Sequence, residues 1–104
     1  MSEQHFTRIT ISTTKSYYSE QETAEYCRLE LHILRQLSES GAIPGMQVMD
    51  EETRYSDEDL VLLRRARRLY EDLGVNLEGI EIILRLLVRL DALQRELDNA
   101  KGRG

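Results

Sequence analysis

The stretch that most constrains the fold of this chain spans residues 55–97, where two helical patterns flank a short turn. Ser56 and Asp59 have the spacing of a capping box, in which a hydroxyl and a carboxylate bind the first free backbone amides of a helix. This spacing predicts a helix over residues 56–73. Its apolar side chains recur every three or four residues and form one inward face: Leu62, Leu63, Ala66, Leu69, Tyr70 and Leu73.

A second helix is predicted over residues 76–98, because Gly74 suits the end of one helix and Asn76 the start of the next. Positions along it follow the alternating steps of a coiled-coil seam with one polar member: Ile80, Ile83, Leu87, Leu90, Gln94 and Leu97. Other apolar residues widen this surface, so the helix needs a partner besides its own hairpin. A second copy of the chain is the simplest partner, and a homodimer is expected.

The segment before this hairpin is predicted to form a winged helix-turn-helix. Residues 5–12 alternate and are rich in β-branched side chains, which predicts a short strand. Residues 19–40 predict two short helices joined by a turn, with Gly41 ending the second helix. Residues 43–55 predict the wing, two short strands around an acidic turn, and the 5–12 strand is the expected partner of this sheet.

Within the helix-turn-helix, Ser19 and Glu22 repeat the capping-box spacing. The inward residues of the first helix are expected to be Ala24, Tyr26 and Cys27. Those of the second helix are expected to be Ile33, Leu34 and Leu37. The fold class that follows is mostly α: a single domain over residues 1–104, in which a winged helix-turn-helix precedes a helical hairpin with a long C-terminal helix.

Composition limits the classes of partner. The 104 residues include one cysteine, which fits a reducing compartment and cannot form an internal disulfide. Apolar stretches stay well short of the roughly 20 residues that span a bilayer, and the first residues lack a signal-peptide pattern. A cytoplasmic location without membrane contact is therefore expected. The net charge of -5 argues mildly against nucleic acid and suits a partner rich in lysine and arginine.

The sequence offers no pattern typical of catalysis. His5 and His32 are far apart and lack accompanying ligands at metal-binding spacing. Phosphate-binding glycine loops and nucleophile elbows are also missing from the sequence. Cys27 is a candidate reactive thiol, but a cysteine between two packed helices is more often core filler. We therefore expect no enzyme activity, no cofactor and no bound metal.

Residues 64–68 contain four arginines. One interpretation is that they bind phosphates or an acidic partner. The other is a solvated helix face in which Arg67 pairs with Glu71 and Arg68 with Asp72, four residues further on. The solvated face is favoured, because exposed charge runs usually interact weakly.

The second helix of the helix-turn-helix is the one that would read DNA. Residues 19–40 hold five glutamates and two arginines, and acids that face a duplex are repelled by its phosphates. This balance disfavours tight DNA binding. If DNA is nevertheless bound, the candidate contacts are the basic residues of this region, the wing and the next helix: Arg28, Arg35, Arg54, Arg64, Arg65 and Arg68.

Three stretches carry a family resemblance: residues 55–60, Arg68 with Leu69, and residues 73–80. Together they resemble the helical segment that follows the wing in MerR-like regulators. A closer resemblance, over nearly the whole chain, is to the CbpM-type chaperone modulators of that superfamily. Three stretches carry it: residues 18–24 with Cys27, Leu29, Leu34, Leu37 and Gly41; residues 65–69; and residues 73–76 with Gly79, Ile80, Leu84, Leu86 and Leu93.

This resemblance implies a MerR-like winged fold and a protein partner. CbpM-type proteins are implied to bind the J-domain of a DnaJ/CbpA-like co-chaperone and to modulate its cooperation with DnaK, with inhibition as the expected direction. A J-domain carries a basic helix that an acidic surface attracts. The acids on the helix-turn-helix and wing are the candidate contacts: Glu20, Glu22, Glu25, Glu30, Glu39, Asp50, Glu51 and Glu52.

The alternatives are a MerR-like DNA-binding transcriptional regulator and a dimeric adaptor for another protein. MerR regulators typically show Arg-Tyr-Tyr where this chain has Arg35, Gln36 and Leu37. They commonly show Tyr-Arg in the wing where this chain has Glu52 and Thr53. Both departures weaken the DNA interpretation. A third departure concerns the cap of the second helix, where a serine-type residue is usual and this chain has Glu30.

Overall fold

The computed structural model describes residues 16–103. Its elements, in chain order, are β1 (Tyr17–Ser19), α1 (Glu20–Cys27), α2 (Leu31–Glu39), β2 (Gln47–Met49), β3 (Glu52–Ser56), α3 (Asp57–Arg67), a π-helical segment (Arg68–Asp72) and α4 (Leu77–Arg103). This arrangement confirms the mostly α winged helix-turn-helix with a long C-terminal helix. The strand predicted over residues 5–12 lies outside the described residues.

The wing belongs to a three-stranded antiparallel sheet with β3 in the centre. Asp50 and Glu51 join β2 to β3, with φ angles of 53° and 67°, so a two-residue turn of left-handed residues closes the hairpin. On the other side of β3, β1 pairs Tyr18 with Tyr55. No pattern in the sequence predicts β1, because it is three residues long and directly precedes a helix cap.

Helix α1 begins where its capping box predicts. The amide of Glu22 donates to Ser19 Oγ at 3.0 Å, and the amide of Ser19 donates to Glu22 Oε1 at 2.9 Å. The helix ends at Arg28, which has a left-handed φ of 59°. Helix α2 starts after Glu30 with no side-chain cap, which is consistent with the unusual residue at that position. Gly41, at φ 84°, follows its end.

One core lies between the helix-turn-helix, the wing, α3 and the first turns of α4. Fully burying an aliphatic or aromatic side chain contributes about 1.5–3 kcal/mol, so this cluster is the main source of stability. Its members are Cys27, Leu29, Ile33, Leu34, Leu37, Ala42, Ile43, Tyr55, Leu60, Leu62, Leu63, Ala66, Ile80 and Leu84.

Three residues predicted to face inward are exposed instead. Tyr26 is 61% exposed, and the buried position on its helix is taken by Thr23. Tyr70 and Leu73 are also exposed, and the prediction fails there for a local reason. They follow the start of the π-helical segment, in which the amide of Leu73 donates to the carbonyl of Arg68 five residues back. The wider turn shifts the helical phase, so the α-helical spacing no longer holds there.

A buried carboxylate ties the base of the wing to α3. Asp59 is 1% exposed, and it accepts hydrogen bonds from the amides of Ser56 at 2.9 Å and Gly45 at 3.0 Å. A Cβ on Gly45 would lie 2.6 Å from Ser56 Oγ, so only glycine fits this approach. Tyr55 makes a second tie, since its hydroxyl lies 2.6 Å from the Ser38 hydroxyl of α2. The wing is therefore anchored at both its base and its centre.

Candidate interaction surfaces

The exposed side of α2 lacks a free basic group among the described residues. Arg35 is the arginine of this helix, and Glu20 of α1 binds it through two hydrogen bonds of 3.0 Å each. This hydrogen bond and the charge of Glu20 raise the pKa of Arg35, so the guanidinium stays charged but is neutralised by its partner. The other exposed polar side chains of the α2 region are Glu30, His32, Gln36 and Glu39.

The predicted acidic residues divide into engaged and available groups. Glu22 is engaged in its helix cap, Glu30 lies 3.5 Å from His32, and Glu52 lies 2.9 Å from Arg54. Four exposed acids form no ion pair with any of residues 16–103: Glu25, Glu39, Asp50 and Glu51. We call these four the acidic set. Two of them lie on the helix-turn-helix, and two form the turn of the wing.

The arginines of the DNA alternative are not brought to one place. Arg35 and Arg54 are each paired with a glutamate, as described above. Arg28, Arg64, Arg67 and Arg68 instead line a notch beside the end of α1, which we call the arginine notch. The predicted pair of Arg67 with Glu71 forms at 3.2 Å. The predicted pair of Arg68 with Asp72 does not form within the described residues.

Arg65 lies away from the arginine notch. It lines two other depressions, one at the base of the wing and one between the π-helical segment and α4. The four arginines therefore lie on more than one side of the helix, and each is at least partly exposed to solvent. Arg64, Arg67 and Arg68 share a face because they are three and four residues apart, and Arg65 points elsewhere.

Helix α4 has two apolar faces with different environments. Ile80 and Leu84 are fully buried in the core, and Leu87 is half-buried. Ile80 therefore has no surface left for a second chain, which corrects its assignment to the dimer seam. Large apolar residues on the other face are about half exposed or more: Ile82 58%, Leu86 59%, Leu90 62%, Leu93 53% and Leu97 49%.

The exposed face has its own heptad spacing, which differs from the seam predicted from the sequence. Steps of three and four join the apolar residues of this register, which begins at the half-buried Ile83 and continues through exposed residues: Leu86, Leu90, Leu93, Leu97 and Ala100. Three members are shared with the predicted seam, whereas Gln94 lies beside this stripe. We call the six residues of this register, from Ile83 to Ala100, the α4 stripe. This register can also be found in the sequence. Only the structure shows which face of α4 packs against the core.

Cys27 is a core residue without the features of a reactive thiol. It is 2% exposed, and its sulfur lies 3.7 Å from the carbonyl oxygen of Leu60. Burial raises the pKa of the Cys27 thiol to about 11. Little thiolate therefore forms near neutral pH.

Residues 16–103 contain no group of three or more His, Cys, Asp or Glu side chains placed to hold a metal ion. Among the helices of that region, none has the length and apolar character needed to cross a membrane.

Comparison with known proteins gives one family match. The profile described as "MerR HTH family regulatory protein" matches residues 18–101, which is most of the chain and extends from β1 into the last turns of α4. Neither the search of curated proteins nor that of solved structures found a significant match.

Proposed function

The chain belongs to the MerR HTH family of regulatory proteins, and from this premise we propose that it regulates a J-domain co-chaperone. In this proposal it binds the J-domain of a DnaJ/CbpA-like protein and inhibits that protein's cooperation with DnaK. The family is one of regulators and not of enzymes. The choice of a J-domain as partner depends on the resemblance to CbpM-type modulators.

The observation that carries the proposal is the pairing of Arg35 with Glu20. Helix α2 is the one that would enter the major groove, and its arginine is already bound by a glutamate of the same chain. The acidic set remains exposed on the helix-turn-helix and wing. Such a surface repels phosphates and attracts a basic protein helix. The engaged acids Glu20, Glu22, Glu30 and Glu52 then shape the surface, and the acidic set makes the direct contacts.

A MerR-like DNA-binding regulator is the second candidate. It is favoured by the retained helix-turn-helix and wing, which have the arrangement of a DNA reader. It requires Arg35 and Arg54 to exchange their glutamate partners for phosphates. Exposed ion pairs are worth only about 0–1 kcal/mol, so this exchange is energetically accessible.

Homodimerisation through the α4 stripe is also part of the proposal. Exposed apolar stripes with heptad spacing are stable in water when a second helix covers them. The stripe extends past the core, and its distal residues have no neighbour among the described residues that covers them. A second copy of the same helix supplies a matching stripe.

The test is direct binding of the full-length protein to a CbpA-like co-chaperone from the same source, at low salt. We expect micromolar or tighter binding, slower co-chaperone-stimulated ATP hydrolysis by DnaK, and weaker binding at higher salt. Glu39→Lys with Glu51→Lys should weaken binding about tenfold or more. No binding at micromolar concentration in low salt would overturn the proposal.

Matched controls separate a specific surface from net charge. Glu78→Lys with Asp98→Lys makes the same charge change on exposed positions of α4, and this pair should leave binding unchanged. The DNA candidate predicts instead that the protein retains duplexes from a random-sequence pool, with binding that falls steeply as salt rises.

A further inference from the structure

A second surface, independent of the acidic set, lies between α1 and α3. A mainly apolar groove of about 460 Å³ runs between the two helices, with walls formed by Tyr18, Tyr26, Leu60 and Val61. Glu22 and Asp57 also line it, and each carboxylate already accepts a hydrogen bond within the chain, from the Ser19 amide and the Tyr18 hydroxyl respectively. It adjoins the arginine notch, which has a volume of about 320 Å³. Tyr26 and Arg64 line both depressions, so the groove and the notch form one continuous surface.

The groove exposes large side chains that the core does not use. Tyr26 is 61% exposed and Val61 is 54% exposed, although both lie on helices whose other faces are well buried. Tyr18 is held in place at the far wall, because its hydroxyl donates to the carboxylate of Asp57 at 2.7 Å. An aromatic and aliphatic groove with fixed walls is suited to a large apolar side chain of a partner.

The arginine notch concentrates positive charge with little compensation. Arg28, Arg64 and Arg68 form no ion pair with the described residues, and Asp72 is the acid that lines the notch. Arg67 is paired with Glu71, but its Nε is buried and has no hydrogen-bond partner among the described residues. Guanidinium groups that repel one another are stabilised by a carboxylate or phosphate that accepts from several of them.

Two local features bring these arginines together. Arg28 adopts the left-handed conformation at the end of α1, which turns the chain at the notch. Arg64 lies over the ring of Tyr26, with its guanidinium carbon 5.5 Å from the ring centroid and Nη1 3.4 Å from the tyrosine oxygen. This contact restricts the rotamers of both side chains, so less side-chain conformational entropy is lost on binding.

We propose that this surface binds an acidic peptide segment of a protein partner, with a large apolar side chain in the groove and one or more carboxylates in the arginine notch. A DNA duplex supplies anions but has no side chain to fill the apolar groove, whereas an acidic segment with an apolar residue satisfies both parts. The surface thus has the opposite charge preference from the acidic set. It gives the protein a second binding face whose existence does not depend on the J-domain proposal.

The test is selection from a random 12-residue peptide display library on the immobilised full-length protein. We expect the recovered peptides to be enriched in Asp or Glu next to Leu, Phe, Trp or Tyr. Arg64→Glu with Arg68→Glu should weaken binding of a recovered peptide about tenfold or more, because the variant replaces two donors of charge-assisted hydrogen bonds with groups that repel the peptide's carboxylates. Arg64→Lys with Arg68→Lys should give an intermediate loss, and Tyr26→Ala should weaken the same peptide through the groove.

The control is Arg65→Glu with Arg89→Glu, which makes the same charge change at exposed positions outside the arginine notch. This variant should bind the peptide as the unchanged protein does, and circular dichroism should confirm that every variant is folded. Failure to enrich peptides, enrichment of non-acidic peptides, or equal binding by the Arg64→Glu, Arg68→Glu variant would each overturn the proposal. Duplex DNA binding that this variant abolishes, without peptide enrichment, would assign the notch to phosphates instead.

Discussion

The winged helix-turn-helix buries most of its leucine side chains, whereas the distal half of α4 leaves its own leucines exposed. In the first region Leu34, Leu37 and Leu63 are completely buried. In the second, Leu90 and Leu93 are more than half exposed, although they are the same residue type in an equally regular helix. The difference lies in whether another part of the chain covers the helix. The winged region completes its own core, whereas distal α4 presents an apolar surface suited to a partner.

The largest predicted effect concerns the winged region, which completes its own core. Leu34→Ala should lower the free energy of unfolding by about 2–5 kcal/mol, because it leaves a cavity at the centre of the core. Urea denaturation followed by circular dichroism measures this loss. The matched change Leu90→Ala should leave the unfolding of the winged region nearly unaltered at concentrations where the protein is monomeric. Equal losses for both variants would contradict the division into two regions.

The second prediction sharpens the register of the α4 stripe. In the proposed homodimer, Leu93→Asp places a charge in the stripe of both copies, and we expect the dissociation constant of that dimer to rise about a hundredfold. The neighbouring change Gln94→Asp lies beside the stripe and should have little effect. Sedimentation equilibrium measures both constants. A Gln94→Asp variant that dissociates while Leu93→Asp remains dimeric would support the seam through Gln94 instead.

The third prediction concerns the polar tie within the winged region. Asp59→Ala leaves the amides of Gly45 and Ser56 without their acceptor, and leaving such buried groups unpaired costs about 1–3 kcal/mol. Glu58→Ala, at the exposed neighbouring position, is the control and should be nearly neutral. Thermal unfolding of both variants compares them. A neutral Asp59→Ala would mean that the wing does not depend on this carboxylate.

The last prediction concerns Cys27, whose thiol is buried in the winged core. Because burial raises its pKa to about 11, labelling by a thiol reagent at pH 8 should be roughly a hundredfold slower than for an ordinary thiol. The rate should increase as the pH rises towards that value. The folded state holds this proton more tightly than the unfolded state, so stability from this group is present at neutral pH and declines as the pH rises above about 9. Rapid labelling of the folded protein at pH 8 would contradict this burial.

Much of the architecture was predictable because its signals are local. Ser19, Ser56 and Asn76 each bind a backbone amide three residues ahead, so a short sequence window contains the whole interaction. The acidic turn of the wing and the end of α2 at Gly41 are equally local. The exposure of Tyr70 and Leu73 was not predictable from helical spacing, because the π-helical segment alters the spacing itself.

The candidate surfaces depended more strongly on the tertiary structure. The acids and arginines are visible in the sequence, but the pairing of Arg35 with Glu20 joins two helices. The arginine notch likewise brings Arg28 beside Arg64 and Arg68, which are distant along the chain. Exposure of Tyr26 on the groove follows from Thr23 occupying the inward position. These are consequences of helix packing that no single helix encodes.

The sequence by itself determined where the helices begin, the presence of the wing and the long apolar C-terminal helix, because caps, turns and hydrophobic periodicity act over a few residues. Only the tertiary structure decided how α4 divides its apolar residues. Ile80 and Leu84 were taken into the core, and Leu86, Leu90 and Leu93 were left outside it. The physical reason is that periodicity describes a helix surface, whereas burial depends on what packs against that surface.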